Sequence, residues 1–466
     1  MTVLKDELLP LRKIKSNTTR TIDASNLDHL LVFRHYFGHM CEAQARSFPK
    51  AAGSCVGFNP HVDFEILYKL LKSKSDFGID VDAKRWDGTI PPIFWEGVAR
   101  VSRIYYFRGY LKDLDTRLRK EFKGEHIEFD SLRHRFKIPH DLKDEAAKIQ
   151  SELYAKFERE QNVRDTLVDE LCSTVTLTLG ELIQQLKGVC SGNPSTAGFN
   201  SILHAIIAMT AWLMCTDGTY LDSLDAFDEH VEFFTYGDDG IYGITEEALP
   251  YYNRLTLKDC FETFGMQLTA ANKTGEIKDY DRIEDLTFCK RSFNRLPNGS
   301  VLCPIEERTL NSLLNWERKR GDLADNLDVY FFELFYFGKE RYESESQKVL
   351  ESLLYHGVRC TIPTWKEQYA RWINMHSNVS CEYNKRTVVH RADLMIERLS
   401  NKHPERILSR NPLTFEGGES CQLCKRVCLG LITSAREDPM IPGPWPRCLE
   451  CAHYTDVPPR YYKCVE

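Results

Sequence analysis

Apolar and polar positions sort most of the chain into helices, with one sharply marked hairpin among them. Leu27, Leu30, Leu31, Phe33, Tyr36 and Phe37 recur at helical spacing, so residues 27–50 are expected to form a helix with one apolar face. The turn Val56-Gly57-Phe58-Asn59-Pro60 leads into a second helix near 62–72. A short strand is expected to end at Asp82, followed by a loop with Asp87 and a Pro-started helix over about 91–112. Residues 113–165 mix Asp, Glu, Lys and Arg in a helical pattern and read as a solvent-facing insertion. A strand and turn over Ser173–Glu181 precede a small-residue loop, Gly188 to Ser201, that opens an apolar helix to about Cys215. Residues 251–265 form an amphipathic pattern, 267–274 a turn and loop, 287–293 a strand with a basic tip, and 305–376 further helices rich in Leu, Tyr, Phe and Trp.

The hairpin is Phe233-Phe234-Thr235-Tyr236-Gly237-Asp238-Asp239-Gly240-Ile241-Tyr242. Apolar runs flank a Tyr-Gly turn that carries two adjacent aspartates, the pattern of two strands joined at a carboxylate-bearing tip. Neighbouring carboxylates repel, and a divalent metal is the commonest compensation; hard oxygen ligands suit magnesium or manganese. A solvated Asp-Asp tip is the plain alternative.

Length and composition bound the rest. A chain of 466 residues, 42% hydrophobic and 28% charged, can bury a large core and hold several subdomains. The net charge of −7 means that a nucleic-acid partner must be gripped by local basic patches. One such patch is the ribbon over residues 4–25, with Lys5, Arg12, Lys13, Lys15 and Arg20; its alternation predicts a strand pair bearing cations, which suits phosphates or a solvated face. No apolar run reads as a membrane span, and the N-terminal residues lack a signal-peptide core. The small-residue loop before Ser201 lacks a P-loop lysine, so a Walker nucleotide site is not supported.

The 16 cysteines read as reduced thiols or metal ligands, and six cluster between Cys421 and Cys464. Cys421-x2-Cys424 and Cys448-x2-Cys451, with residues 425–447 between them, have the spacing of a zinc ribbon, with Cys428, His453 and Cys464 as further ligands in reach. Free thiols in a loose tail are the alternative.

Taken in order, the motifs resemble those of picorna-like RNA-dependent RNA polymerases, the right-hand polymerases of positive-strand RNA viruses. Residues 5–25 resemble the basic motif F. Asp82-x4-Asp87 is similar to motif A, and Ser191-Gly192-x3-Thr196-x3-Asn200-Ser201 to motif B. Tyr236-Gly237-Asp238-Asp239 is similar to motif C, Lys273 falls at the motif D lysine, and Phe288-Cys289-Lys290-Arg291 resembles motif E. The ordered set covers roughly residues 4–376.

The resemblance implies an α+β fold. It would have partial fingers over 1–75, motif A of a βαββαβ palm over 76–112, and a charged insertion or fingers over 113–170. Palm motifs B to E would follow over 171–293, a helical thumb over 294–400, and the cysteine-rich, zinc-ribbon-like tail over 401–466. The implied activity is template-directed transfer of nucleotides from rNTPs to an RNA 3′-hydroxyl. Asp82, Asp238 and Asp239 would hold two magnesium or manganese ions and Lys273 would act as general acid. Lys13 and Arg20 would contact the triphosphate. Asp87, Ser191, Thr196 and Asn200 would read the ribose, and Lys290 and Arg291 would hold primer phosphates. Implied partners are RNA template and primer, a small genome-linked protein primer and other viral replication proteins. The implied setting is the host cytoplasm at replication complexes, without membrane insertion by this chain. Position 9 is Leu and position 18 is Thr where the family carries basic residues, the gap between motifs A and B is long, and most of the fingers that precede motif F lack a counterpart. The chain is therefore expected to be an N-terminally incomplete polyprotein fragment. An inactive RNA-binding scaffold and a reverse transcriptase are the competing readings; Asn200 in its Ser-Gly-x3-Thr-x3-Asn setting favours ribonucleotides over the latter.

Overall fold

The computed structural model describes residues 2–4, 11–16, 21–48, 53–123, 128–130, 135–178, 180–194, 196–269, 277–315, 323–358 and 361–376. In chain order, β1 (Thr2–Leu4) pairs antiparallel with β2 (Thr21–Asp23) around α1 (Leu11–Lys15). Half of the expected strand pair is thus present, but Lys13-Ile14-Lys15 is helical. Three alternating residues are too few to separate a period of 2 from one of 3.6.

Next come α2 (Leu27–Ala45) and α3 (Pro60–Lys72). Both start on asparagine caps: Asn26 accepts from the His29 N–H and Asn59 from the His61 N–H. The apolar face of α2 is narrower than its sequence implies. Phe33, Phe37 and Met40 are buried, whereas Leu27 and Leu31 face solvent. The chain continues through β3 (Phe77–Lys84), α4 (Trp86–Thr89) and α5 (Pro92–Glu121), then the hairpin β4 (Glu128–Asp130) and β5 (Arg135–Lys137). After α6 (Lys143–Cys172) comes a second hairpin, β6 (Val175–Thr178) and β7 (Glu181–Gln184). The stretch expected to be a solvent-facing insertion is more than that. α5 and α6 pack along each other and bury Phe107, Leu111, Leu114, Leu118, Ile149 and Phe157 in a core of their own. A charged helix needs only one apolar stripe to do this.

The centre of the molecule follows. α7 (Thr196–Cys215) and α8 (Leu224–His230) lead to β8 (Val231–Tyr236) and β9 (Asp239–Ile244). These are succeeded by α9 (Arg254–Thr263) and β10 (Gln267–Thr269). The strands form an antiparallel sheet in the order β10-β3-β9-β8, with β11 (Asp281–Arg282) also pairing with β3. With α7 and α9 as its two helices this is a βαββαβ unit whose strands stand fourth, first, third, second. β12 (Asn294–Arg295) and β13 (Val301–Leu302) make a short ribbon, and α10 (Glu307–Leu313), α11 (Leu323–Phe335) and α12 (Lys339–Tyr355) close the described chain together with a helical stretch over 365–376.

Strand alternation divides the sheet between two cores. Ile79, Val81 and Ala83 of β3 pack with Phe199, Leu203, Ile207 and Trp212 of α7 and Leu257 and Phe261 of α9. Phe234 and Ile241, facing the other way, pack with Phe64, Leu67 and Leu71 of α3 and with Phe331, Leu334 and Phe335 of α11. Each fully buried side chain of this size contributes about 1.5–3 kcal/mol, so the sheet is anchored from both sides. α7 is long and apolar enough, by length and composition, to cross a membrane, contrary to the expectation from sequence; here it is the central core helix, with Phe199, Leu203, Ile206, Ala211 and Trp212 all buried.

Candidate active site

Two strands and one helix build the site. The ladder between β3 and β9 runs from Gly78 opposite Gly243 to Val81 opposite Gly240, so the next step sets Asp82 beside Asp239. Directly opposed residues of an antiparallel pair point to the same face. On its other side Asp82 lies opposite Thr269, whose Oγ1 donates to the Asp82 carbonyl at 3.0 Å. Asp238 is exposed at the tip of the β8–β9 hairpin, and Asp239 is half-buried. Gly237 has φ +66°, the left-handed conformation that a two-residue hairpin turn requires and glycine adopts without strain.

α7 holds this tip from beneath. The Gly237 N–H donates to Ser201 Oγ at 2.9 Å, and His204 Nδ1 lies 3.2 Å from the Gly237 carbonyl. His204 Nε2 lies 2.7 Å from the Tyr242 hydroxyl. A carbonyl only accepts, so Nδ1 carries the proton, and Nε2 of the neutral ring accepts from Tyr242. Complete burial lowers the His204 pKa to about 4, which keeps the ring neutral.

The loop after Asp82 turns through Arg85, a non-glycine at φ +56°. That turn puts Trp86 inside and Asp87 outside. Trp86 Nε1 donates to Asn200 Oδ1 at 3.1 Å, which ties the loop that carries Asp87 to α7 at Asn200. The Asp87 carbonyl accepts from the Val189 N–H, so the segment entering the Ser191 loop is tied to it. Thr196 starts α7 with its Oγ1 donating to the Asn193 carbonyl, and Ser25 Oγ, just after β2, donates to the carbonyl of Gly192 beside Ser191. Ser25, the last residue of the ribbon, therefore borders this loop. Of Lys13 only the backbone is described, and Arg20, Lys273, Cys421, Cys424, Cys448 and Cys451 lie outside the described residues.

Two residues before Asp82, Asp80 is buried and bound on both oxygens. Arg254 Nη2, at the head of α9, donates to Oδ1 at 3.0 Å, and the Thr287 N–H and Oγ1 donate to Oδ2. β3 is thereby fixed to α9 and to the strand-like segment that follows it.

Lys290 and Arg291 part company. Phe288 and Arg291 exchange both backbone hydrogen bonds across Cys289 and Lys290, which sit at φ +50° and +59°. Positive φ at both central residues is the geometry of a type I′ turn. Lys290 is exposed. Arg291 is buried, with Nη1 and Nη2 on Glu333 Oε2 and Oε1 at 2.8 and 2.6 Å and Nη1 also on the Cys303 carbonyl. The expected contact of Arg291 with RNA phosphate is corrected accordingly: its donors are turned into the protein, onto α11. Cys289, in the same turn, has its thiol pKa pushed up by burial and by the nearby Asp239 and Asp238 carboxylates.

Among the described residues no group of three histidine, cysteine or carboxylate side chains converges closely enough to hold an ion as the side chains stand. The donor chemistry still suits hard divalent ions: three carboxylates, Asp82 and Asp239 one step beyond the last β3–β9 pair and Asp238 exposed at the turn next to Asp239. Trp86, His204 and Tyr242 were not singled out from the sequence. Asn200, Ser201 and His204 fall at i, i+1 and i+4 of an otherwise apolar helix, a polar stripe that was the available signal.

A sequence profile described as viral RNA-dependent RNA polymerase matches residues 1–106 and 111–354, well over half of the chain. The chain belongs to that family. It is 30% identical over 167 residues, 34% of its length, to a replicase polyprotein of Drosophila C virus (strain EB). It is 24% identical over 385 residues, 80% of its length, to a genome polyprotein of Rice tungro spherical virus (strain Vt6). In each case it spans 10% of the relative. The fold is similar to that of the Sicinivirus 3Dpol RNA dependent RNA polymerase, with a TM-score of 0.59, 19% identity, and coverage of 81% of this chain and 67% of the other. The architecture is that of an α+β right-hand polymerase.

Proposed function

We propose that the chain carries out RNA-templated RNA synthesis, joining the primer 3′-oxygen to the α-phosphorus of an rNTP and releasing pyrophosphate. The observation that carries this reading is that the β3–β9 ladder ends at Val81 opposite Gly240, one step short of Asp82 and Asp239, with Asp238 at a tip whose backbone is gripped by α7. Asp82, Asp238 and Asp239 would hold two magnesium or manganese ions. Bound there, these would activate the attacking oxygen and neutralise the leaving pyrophosphate. Lys13 and Arg20 neutralise the triphosphate in this reading, and Lys273 gives a proton to the departing pyrophosphate. Lys290, displayed on its turn, holds a primer phosphate.

Asp87, Ser191, Thr196 and Asn200 read the ribose. Trp86 occupies Asn200 Oδ1 and so orients the amide nitrogen as the donor that faces a 2′-oxygen. Replacing Asn200 by alanine should narrow the preference for rNTP over dNTP by about tenfold, roughly one hydrogen bond to the sugar, with little change in metal requirement. An rNTP:dNTP ratio equal to wild type would move the sugar contact elsewhere.

In this reading fingers (1–75 and 113–170), palm (76–112 and 171–293) and thumb (294–400) act on template and primer RNA. A genome-linked protein primer and other viral replication proteins are the proposed partners, and replication complexes in the host cytoplasm the proposed site. Mg-dependent incorporation of labelled rNTPs on an RNA template is the test.

For the tail we propose a structural zinc held by Cys421, Cys424, Cys448 and Cys451, a closed four-thiolate set. Metal analysis of the full chain under reducing conditions should find about one zinc per chain, lost when Cys421 and Cys424 are both replaced by serine. Zinc retained by that double variant would remove the assignment.

A further inference from the structure

We propose that His204 is a positioning residue for nucleotidyl transfer: set by the Tyr242 hydroxyl, it holds the Gly237 carbonyl and through it fixes where Asp238 stands at the hairpin tip. The proposal rests on the polymerase reading. His204 has no exposed surface, and an apolar side chain in that core position would avoid the cost of burying a polar ring. Both ring nitrogens are nonetheless satisfied, and both partners belong to the hairpin: Gly237 in the turn and Tyr242 on β9. With Ser201 on the N–H and His204 on the carbonyl, α7 holds both polar groups of the residue that precedes Asp238.

The surroundings are shaped to this ring. A Cβ at Gly240 would stand 2.6 Å from His204 Cε1 and 2.7 Å from Nε2, so glycine there admits the imidazole. Trp86 lies against the ring, with centroids 5.1 Å apart, while its Nε1 holds Asn200. One buried cluster thus joins the carboxylate tip to the proposed ribose reader. The Gly237 carbonyl, which only accepts, puts the His204 proton on Nδ1, and the Tyr242 hydroxyl donates to Nε2 and holds the ring in that orientation.

The two nitrogens can be tested separately. In H204N the amide nitrogen takes the place of Nδ1 and keeps the donor to Gly237. In H204Q the longer amide reaches toward Tyr242 and the Gly237 contact is lost. Mn2+ binding by electron paramagnetic resonance, kcat and nucleotide KM, and thermal melting are measured on the full chain. H204Q is expected to weaken Mn2+ binding about fivefold and to lower kcat about tenfold with KM within twofold, whereas H204N stays within about threefold of wild type in each. G240A removes no polar group but crowds the ring off Gly237, and should follow H204Q. It also decides the matter if H204Q does not fold.

Equal Mn2+ binding and kcat in H204N and H204Q, or losses that track melting temperature whichever nitrogen is mimicked, would overturn the positioning role. So would wild-type Mn2+ binding and kcat in G240A. A chain that shows the expected order in Mn2+ binding but makes no RNA would instead overturn the polymerase reading and leave the positioning role standing.

Discussion

Replacing Asp82 or Asp238 by asparagine should reduce RNA synthesis by at least about a thousandfold, a change on the scale seen when one electrostatic element of a preorganised site is removed. Asparagine keeps the shape of the side chain and removes its charge. Neither residue lies in a hydrophobic core: Asp238 is exposed on its turn and Asp82 is half-buried two residues before the end of β3. Folding should therefore be preserved, and the melting temperature should match wild type. Binding of RNA, proposed to rest on cations elsewhere, should also persist. Single-turnover incorporation with saturating magnesium separates the outcomes, and turnover near wild type in either variant would remove that carboxylate from the site.

The largest effect on stability is expected at Arg291. Its guanidinium and the Glu333 carboxylate are each about 8% exposed and meet in two hydrogen bonds. Replacing Arg291 by alanine leaves the Glu333 charge buried alone, which costs about 3–5 kcal/mol. His61 Nε2 also lies 3.6 Å from Glu333, but in the wild-type chain burial, with Arg291 and Arg371 adding to it, lowers the His61 pKa to about 4, so Arg291 is the charge that pairs Glu333. Replacing both partners, Arg291→Met with Glu333→Leu, removes charge and countercharge together and should recover most of the loss. Lys290→Ala, on the same turn, should change stability by less than about 0.5 kcal/mol yet weaken primer binding and flatten its salt dependence. Urea midpoints decide the first comparison: an Arg291→Ala chain as stable as wild type would mean that the ion pair does not secure α11 to the turn.

This contrast between neighbours shows what a sequence conveys here and what it withholds. The hairpin around Asp238 and the end of α7 at Cys215 follow from long apolar runs with one period each, and the structure places them where the pattern does. β3, marked by its apolar alternation, runs through Asp82 to Lys84. Lys290 and Arg291 look alike in sequence, and their opposite fates depend on positive φ angles at Cys289 and Lys290 that no glycine announces. Leu27 and Leu31 extend an apolar stripe that the packing of α2 does not use. The link between His204 and Tyr242 spans 38 positions and exists only once β9 is laid over α7. Periodicity reports which face of an element is buried, not which polar group on another element it will meet there.

The most direct test of the central claim is template-directed incorporation by the full chain. With a primed RNA template and magnesium, the labelled rNTP complementary to the first template base should be added and the three others should not. Changing that base should change which nucleotide is added. Omitting magnesium or replacing Asp238 by asparagine should abolish the signal. Incorporation that ignores the template base, or that persists in the Asp238→Asn chain, would contradict the assignment of RNA-templated synthesis to this site.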